Sequence, residues 1–265
     1  MALASGVRAG DYLRLSARRF PDRACFVRAD GSRQSFAATN SRVNRLASAL
    51  TNLGLARGDR LAIFANNSIE YAEVLFASMK LGCTYVPLNN RLRPDEVRAL
   101  LERARPRALF TEQRYVQSLR PALVGLPGLR LMCGLDGPLS DGAQPHASYE
   151  ELVAGGADVE PDVAVADEDI LGLAYTSGTT GLPKGVLQSQ RMIRNLTVSI
   201  TLDYEIQTDE FRYSSSPMFH IGGQSRSSCT PGRGSRRWSS RSSTRRPSWG
   251  GCRRVGSPAR SWSPR

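Results

Sequence analysis

Residues 174–186 read AYTSGTTGLPKGV, and they directly follow a short apolar run from Ile170 to Leu173. An apolar run that stops at a turn signal is typical of a buried strand. Three glycines and a proline then predict a tight, exposed loop whose backbone can approach a ligand closely. This part of the chain is therefore predicted to present a loop at the end of a core strand.

The side chains of this loop are rich in hydrogen-bond donors. Four hydroxyls and one ammonium group occur within nine residues, at Thr176, Ser177, Thr179, Thr180 and Lys184. Phosphate oxygens accept hydrogen bonds and carry negative charge, so this composition favours phosphate binding. The loop is not a Walker A loop, because Pro183 occupies the position of the second glycine and Gly185 that of the Mg²⁺-binding Ser or Thr. A glycine- and threonine-rich surface turn is the alternative that loop composition alone leaves open.

Strand-like and helix-like patterns alternate along the rest of the chain up to residue 224. Apolar runs predict strands at residues 61–64, 84–87, 108–110 and, more weakly, 129–133. Helical patterns begin after Ser35, at Asn67 or Ser68, and at Pro94. This alternation predicts an α/β fold, a doubly wound and mostly parallel sheet with flanking helices. Ligands of such sheets bind at the carboxyl ends of strands, where the Thr176 loop is expected to lie.

The positive charge of the chain is concentrated at its end. Of the net charge of +12, residues 225–265 contribute +11, with eleven arginines and no Lys, Asp or Glu, which leaves +1 for residues 1–224. This segment is rich in Arg, Ser, Pro and Gly, lacks Ile and Leu, and cannot bury enough apolar surface to offset chain entropy. We therefore predict two regions, a folded body at 1–224 and a disordered tail at 225–265.

The loop resembles a known signature when it is taken in order. Residues 175–185, YTSGTTGLPKG, are similar to the AMP-binding signature of the adenylate-forming superfamily, which includes acyl-CoA synthetases, firefly luciferase and the adenylation domains of peptide synthetases. The resemblance implies the first part of the family's large N-terminal domain, with its second sheet incomplete. It also implies that the loop binds the phosphates of ATP through Thr176, Ser177, Gly178, Thr179, Thr180, Gly181 and Lys184.

A second stretch, Pro217 to Gly223, resembles the family motif that contributes to the acyl pocket. The resemblance implies substrate binding by His220, Gly222 and Gly223, with the imidazole as a gate or polar wall near the acid. An isolated histidine beside apolar residues is more often structural, and that alternative stays open. His146 lies in a Gly/Pro-rich stretch and is given no role.

The resemblance implies a two-step reaction that uses ATP, Mg²⁺ and coenzyme A. A carboxylate attacks the α-phosphate of ATP to give an acyl-adenylate and pyrophosphate, and the thiol then displaces AMP. Fatty or aryl acids are the expected substrates, and fatty-acyl-AMP ligases and aryl-acid ligases are close alternatives. The Tyr-Gly-x-Thr-Glu segment with the Mg²⁺-associated Glu, the ribose-binding Asp and the domain with the catalytic Lys have no counterpart here. We therefore assign no catalytic residue and expect negligible adenylation.

The basic tail admits two further interpretations. It could bind nucleic acid or another anionic surface, with tryptophans interleaved among the arginines. It could instead be an out-of-frame translation of GC-rich DNA, which yields Arg, Ser, Gly, Pro and Trp. Permitted codons in another frame give valine and Phe-Asp near Trp238. The second interpretation is favoured, so no specific nucleic-acid partner is expected.

The five cysteines are scattered without C-x-x-C spacing. This pattern predicts a reducing, cytoplasmic setting with neither a disulfide framework nor a zinc site. No apolar run is long enough to predict a transmembrane segment, and the first ten residues do not resemble a signal peptide.

Overall fold

Strands and helices alternate along residues 6–28, 30–140, 146–176, 183–203 and 216–224, which are the residues that the computed structural model describes. The strands are β1 (Ala24–Val27), β2 (Arg33–Ser35), β3 (Arg60–Phe64), β4 (Thr84–Pro87), β5 (Ala108–Thr111), β6 (Leu131–Gly134), β7 (His146–Ser148), β8 (Ile170–Thr176) and β9 (Lys184–Ser189). The helices are α1 (Asp11–Arg19), α2 (Phe36–Asn52), α3 (Ile69–Leu81), α4 (Pro94–Ala104), α5 (Gln113–Leu123), α6 (Tyr149–Gly155), α7 (Gln190–Asp203) and α8 (Ile221–Gln224). The predicted tail, residues 225–265, lies outside the described residues.

The main sheet has seven strands in the order β7-β6-β5-β3-β4-β8-β9. All neighbouring strands run parallel except β9, which is antiparallel to β8. The chain winds to one side of β3 through β4 and to the other side through β5 and β6, as a doubly wound sheet does. The predicted α/β fold with a mostly parallel sheet is therefore confirmed. A small antiparallel hairpin of β1 and β2 precedes the sheet.

Successive residues of β3 point to opposite faces of the sheet, and each face has its own apolar core. Leu61 and Ile63 belong to the core that contains the buried side chains of α2 and α3. Ala62 and Phe64 belong to the core that contains those of α4 and α5. A buried run without polar alternation is therefore required here, because both faces of a parallel strand are covered.

The helix ends follow the local signals of the sequence. The Ser35 hydroxyl accepts a hydrogen bond from the Ala38 amide at 3.1 Å, and the Ser68 hydroxyl accepts one from the Tyr71 amide at 3.0 Å. These are N-cap contacts, which satisfy amides that have no partner within the helix. At the end of α3, Gly82 adopts the left-handed conformation with φ +66°, which glycine adopts without steric cost.

Two elements of the sheet region carry weak sequence signals. Helix α5 contains Pro121 in its last turn, and a proline is expected to end a helix. Strand β9 buries Gln188 but exposes Val186 and Leu187, which reverses the usual alternation of apolar and polar residues. Neither element is predicted from the sequence. The proline argues against a helix at α5, and the pattern of apolar and polar residues in β9 does not match its burial.

The cysteines differ from expectation at one position. Cys83 and Cys133 are free and buried. Burial raises the pKa of Cys83 to about 12, so this thiol stays protonated. Cys25, however, is disulfide-bonded. The expectation that the cysteines stay reduced is therefore wrong for Cys25.

Candidate functional site

The loop of residues 177–183 is closed at its base by the β8–β9 hairpin. Thr176, the last residue of β8, lies directly opposite Lys184, the first residue of β9. The Thr176 hydroxyl donates to the Lys184 carbonyl oxygen at 3.4 Å. Ser177, Gly178, Thr179, Thr180 and Gly181, which were assigned to phosphate binding, lie outside the described residues.

The hairpin brings two of the assigned side chains to the same face. Directly opposed residues of an antiparallel pair project to one side of the sheet, so the Thr176 hydroxyl and the Lys184 ammonium flank the loop together. Tyr175 and Gly185 form the next pair on the other face, where a Cβ added at Gly185 would lie 2.9 Å from Leu173 and 3.5 Å from the Tyr175 ring. The hairpin thus has a donor-bearing face and a packed face.

The two lysines of the chain lie in opposite surroundings. Lys80 is buried and donates to Asn40 Oδ1 at 2.8 Å, Asn44 Oδ1 at 2.7 Å and Glu160 Oε2 at 2.7 Å. Burial lowers the pKa of Lys80, although the contact with Glu160 opposes this change. Lys184 is exposed, and no ion pair between described residues includes it. Lys184 is therefore the ammonium group that is open to an anion from solution.

The base of the loop also contacts helix α4. Arg103, in the last turn of α4, donates to the Pro183 carbonyl oxygen at 3.4 Å. Tyr175 packs against the α4–α5 core, and burial raises the pKa of its hydroxyl although Arg103 and Arg60 lower it. Strand β8 pairs with β4 only at Gly172 and Tyr85. The loop thus follows the carboxyl end of β8 as predicted, but beyond Gly172 the hairpin contacts the α4 side of the molecule.

The segment that contains His220 is a tight turn followed by the short helix α8. The His220 amide donates to the Pro217 carbonyl oxygen at 3.0 Å, and the Gly223 amide donates to the His220 carbonyl oxygen at 2.9 Å. A Cβ at Gly223 would lie 2.2 Å from the Pro217 oxygen, so this close approach requires glycine. The His220 side chain is exposed, and its ring centre lies 4.5 Å from that of Phe219. Gly222 lies within α8.

A small apolar pocket lies between α3 and α7, next to this segment. Its volume is about 50 Å³, and its lining includes Phe76, Leu196, Ile221, Tyr85 and Gln188. Burial raises the pKa of Tyr85, so its hydroxyl stays protonated and donates to Gln188 Oε1 at 2.8 Å. The pocket is much smaller than the roughly 300–1,000 Å³ of drug-sized ligand sites. It is where β9 and the residue after His220 come together, whereas no described hydrogen bond joins Lys184 to His220.

A polar network at the carboxyl ends of β3, β4 and β5 was not predicted. The Asn66 amide and side chain donate to the Glu112 carboxylate at 2.5 and 3.0 Å. Asn90 donates to Asn66 Oδ1 at 2.9 Å and to the Tyr115 hydroxyl at 3.2 Å. The available signal in the sequence was the pair of asparagines at 66 and 67, one residue after the apolar run at 61–64.

Two further properties bear on the site. Within the described ranges, no three His, Cys, Asp or Glu side chains are grouped so that they could hold a metal ion. None of the described helices is both long enough and apolar enough to span a bilayer.

Comparison with known families finds one match over most of the chain. The family model described as AMP-binding enzyme matches residues 13–247. The matched range includes both the hairpin at 170–189 and the segment at 216–224.

Individual proteins are also similar. The chain is 37% identical over 210 residues to the indoleacetate–CoA ligase of Aromatoleum aromaticum, an alignment that covers 78% of this chain and 38% of that protein. It is 31% identical over 189 residues to the long-chain-fatty-acid–CoA ligase FadD13 of Mycobacterium tuberculosis, covering 71% and 36%. The chain thus spans less than two fifths of the length of these relatives.

The fold agrees with that of solved structures. The inhibitor-bound N-terminal domain of FACL13 from Mycobacterium tuberculosis superimposes with a TM-score of 0.70 at 28% identity. The superposition covers 85% of this chain and 56% of that domain.

Proposed function

Because the chain belongs to the family of AMP-binding enzymes, we propose that it has the chemistry of an acyl-CoA synthetase. Such an enzyme activates a carboxylic acid with ATP and transfers the acyl group to coenzyme A. The observation that carries this proposal is the family match over residues 13–247. The exposed Lys184 beside Thr176, at the two ends of the signature loop, supports it from the structure.

The hairpin residues suit the phosphates of ATP. An exposed ammonium group and a hydroxyl on one face can donate to phosphate oxygens, and a charge-assisted hydrogen bond is stronger than a neutral one. ATP would supply the phosphoanhydride that activates the acid. Lys184 and Thr176 would hold the departing phosphates and offset the negative charge that develops on them. The remaining loop residues, Ser177 to Gly181, are proposed to donate to the same phosphates.

Mg²⁺ and coenzyme A are less well supported. Among the described residues no group of three ligands could hold a metal ion by itself, and Mg²⁺ at nucleotide sites is usually bound by one or two carboxylates together with the phosphates. Coenzyme A is proposed from the names of the two relatives, both of which are CoA ligases. No step is therefore derived through either group.

The acid is proposed to be a fatty or aryl carboxylic acid. The two relatives are named for indoleacetate and for long-chain fatty acids, which are of these two classes. His220, Gly222 and Gly223 are proposed to face the acid. The His220 imidazole is exposed and can donate to a carboxylate, and the next residue, Ile221, lines the apolar pocket, which can accept apolar atoms. Fatty-acyl-AMP ligases and aryl-acid ligases remain within this proposal.

Lys184→Ala tests the phosphate site directly. Loss of a charge-assisted contact is expected to raise the Kd for ATP about tenfold or more, measured by isothermal titration calorimetry. Arg33→Ala, which removes an exposed cation from the separate β1–β2 sheet, is the matched control and should leave the Kd unchanged. Equal affinities for all three proteins would contradict the assignment of Lys184.

We further propose that a polypeptide of these 265 residues has negligible adenylation activity by itself. The Tyr-Gly-x-Thr-Glu segment is absent from the sequence, so the acid and the phosphates lack groups that would position them. Pyrophosphate exchange with a panel of fatty and aryl acids measures this. Activity clearly above that of Lys184→Ala would refute the proposal.

A second candidate function rests on the charge of residues 225–265. Eleven arginines without acidic residues favour binding to nucleic acid or another polyanion. Such binding should weaken steeply with salt and disappear when residues 225–265 are deleted. Salt-independent binding, or binding that survives the deletion, would exclude this function for the tail.

A further inference from the structure

Asn67 forms hydrogen bonds through both the nitrogen and the oxygen of its side-chain amide, and both bonds are to the backbone of one distant segment. Its Nδ2 donates to the Ser216 carbonyl oxygen at 2.9 Å, and its Oδ1 accepts from the Met218 amide at 2.7 Å. These partners lie 149 and 151 residues further along the chain. The two contacts fix both the position and the orientation of the segment, because a single amide plane satisfies a donor and an acceptor two residues apart.

The backbone of Asn67 is itself held from both sides. The preceding residue, Asn66, binds the Glu112 carboxylate and so fixes the turn after β3 to the end of β5. The following residue, Ser68, caps α3 through the Tyr71 amide. The side-chain amide of Asn67 is therefore attached to a stretch of backbone that β3, β5 and α3 hold in place, and these elements are rigid parts of the fold.

The segment that Asn67 holds is compact and carries His220. Met218 is buried in the α2–α3 core, and the backbone folds back from Pro217 to Gly223 with no room for a Cβ at Gly223. Movement of Met218 would therefore move His220, two residues later, along with it. Asn67 and His220 do not need to touch for this coupling to act.

We propose that Asn67 is the positioning residue for His220, holding the Ser216–Gly223 turn so that His220 stays in place directly before Ile221, which lines the apolar pocket. The proposal rests on the function proposed above, in which His220 faces the carboxylic acid. Asn67 acts through the backbone of the turn and does not contact the acid.

The chain contains only two histidines, which allows a direct spectroscopic test. The imidazole Cε1–H resonances of His146 and His220 are assigned with His146→Gln and His220→Gln, and His146 serves as an internal reference because it lies on β7, at the opposite end of the strand order from β9. In Asn67→Ala, the His220 resonance should move to its position in a peptide of residues 216–224. Exchange of the Met218 amide with solvent should become about tenfold faster or more. The His146 resonance should not change.

Two comparison variants make the test decisive. Asn89→Ala, in the turn after β4, removes only a local contact with the Arg91 amide and should leave both histidines unchanged. Asn67→Asp keeps an acceptor for the Met218 amide but loses the donor to Ser216, so Met218 should stay protected while His220 moves less than in Asn67→Ala. An unchanged His220 resonance in both Asn67 variants overturns the proposal. If Asn67→Ala also moves His146, the fold is lost and the result for Asn67→Asp decides.

A separate titration distinguishes this inference from the proposed function. Decanoate and phenylacetate are added to the unsubstituted protein, and a shift of the His220 resonance supports its role at the acid. Absence of a shift contradicts that role, whereas the spectra without acid still decide whether Asn67 positions the turn.

Discussion

At Gly172, strand β8 contacts both of its neighbours closely. A Cβ at this position would lie 2.3 Å from Gln188 Oε1 and 2.8 Å from the Tyr85 ring. The two side chains also bind each other, with the Tyr85 hydroxyl donating to Gln188 Oε1 at 2.8 Å. The backbone at Gly172 is that of an extended strand, which other residues can also adopt. Glycine is needed here because the Tyr85 and Gln188 side chains leave no room for a Cβ.

Gly172→Ala should therefore destabilise the protein by about 1–3 kcal/mol, because the inserted methyl group forces Tyr85 and Gln188 apart. Urea unfolding followed by circular dichroism measures the change. The control is Gly155→Ala, where a Cβ meets nothing within 4 Å and helix propensity favours alanine by up to about 1 kcal/mol. Similar free energies of unfolding for both variants would show that the space at Gly172 is not limiting.

Among the elements, the start of α1 depends on one carboxylate. Asp11 accepts from the Arg8 amide at 3.0 Å, from Arg8 Nε at 3.1 Å and from Arg14 Nη2 at 3.1 Å. Burial raises the pKa of Asp11, but the hydrogen bonds from Arg8 and Arg14 together outweigh it, so the pKa is lowered. Arg8 also donates to the Val163 carbonyl oxygen, which ties the helix start to a distant loop.

The contribution of Asp11 to stability should depend on pH. Since the folded state has the lower pKa, this contribution is complete well above the unfolded value of about 4 and is lost as the pH falls through the folded value. Asp11→Asn should cost about 1–2 kcal/mol at pH 7, and the difference from the unsubstituted protein should shrink below about pH 4. Thermal unfolding between pH 2 and 7 tests this. Asp22→Asn, at an exposed carboxylate, is the control, and a difference that stays constant with pH would contradict the assignment.

Elements whose signals are local could be predicted from the sequence. Ser35 and Ser68 lie directly before apolar periodic stretches, and both are N-caps in the structure. Strand β9 could not be predicted, because it is stabilised by pairing with β8 and buries a glutamine that bonds to Tyr85. The packing partner, and not the pattern of β9 itself, determines its conformation.

In the candidate site, too, some features could be identified from the sequence and others could not. The Thr176–Lys184 loop was identifiable because its donors lie within nine residues of sequence, and the hairpin brings its two ends together. The contacts of Asn67 with Ser216 and Met218 were not identifiable, because the residues around Asn67 in the sequence do not indicate which backbone groups, about 150 residues away, it binds. Long-range hydrogen bonds to backbone leave no residue pattern at either end.

At the scale of the whole molecule, β9 ends the strand order of the described sheet. Its Val186 and Leu187 side chains are exposed, at 40% and 59%. An apolar edge strand presents unpaired backbone groups to other chains, and a charged side chain on it opposes such pairing.

Leu187→Lys should accordingly slow aggregation with little effect on the free energy of unfolding. Light scattering at 37 °C over a range of protein concentrations measures the rate. Val159→Lys, which adds the same charge at an exposed position outside the sheet, is the control. Equal slowing by both variants would attribute the effect to net charge and not to the sheet edge.

The insertion of β8 beside β4 has a consequence for synthesis on the ribosome. Tyr85 of β4 pairs with Gly172, which is translated 87 residues later. At about 5–20 residues per second, that delay is about 4–17 s. Throughout this interval one edge of β4 has no partner strand in the nascent chain. The sheet can therefore be completed only after the β8–β9 hairpin has emerged from the exit tunnel.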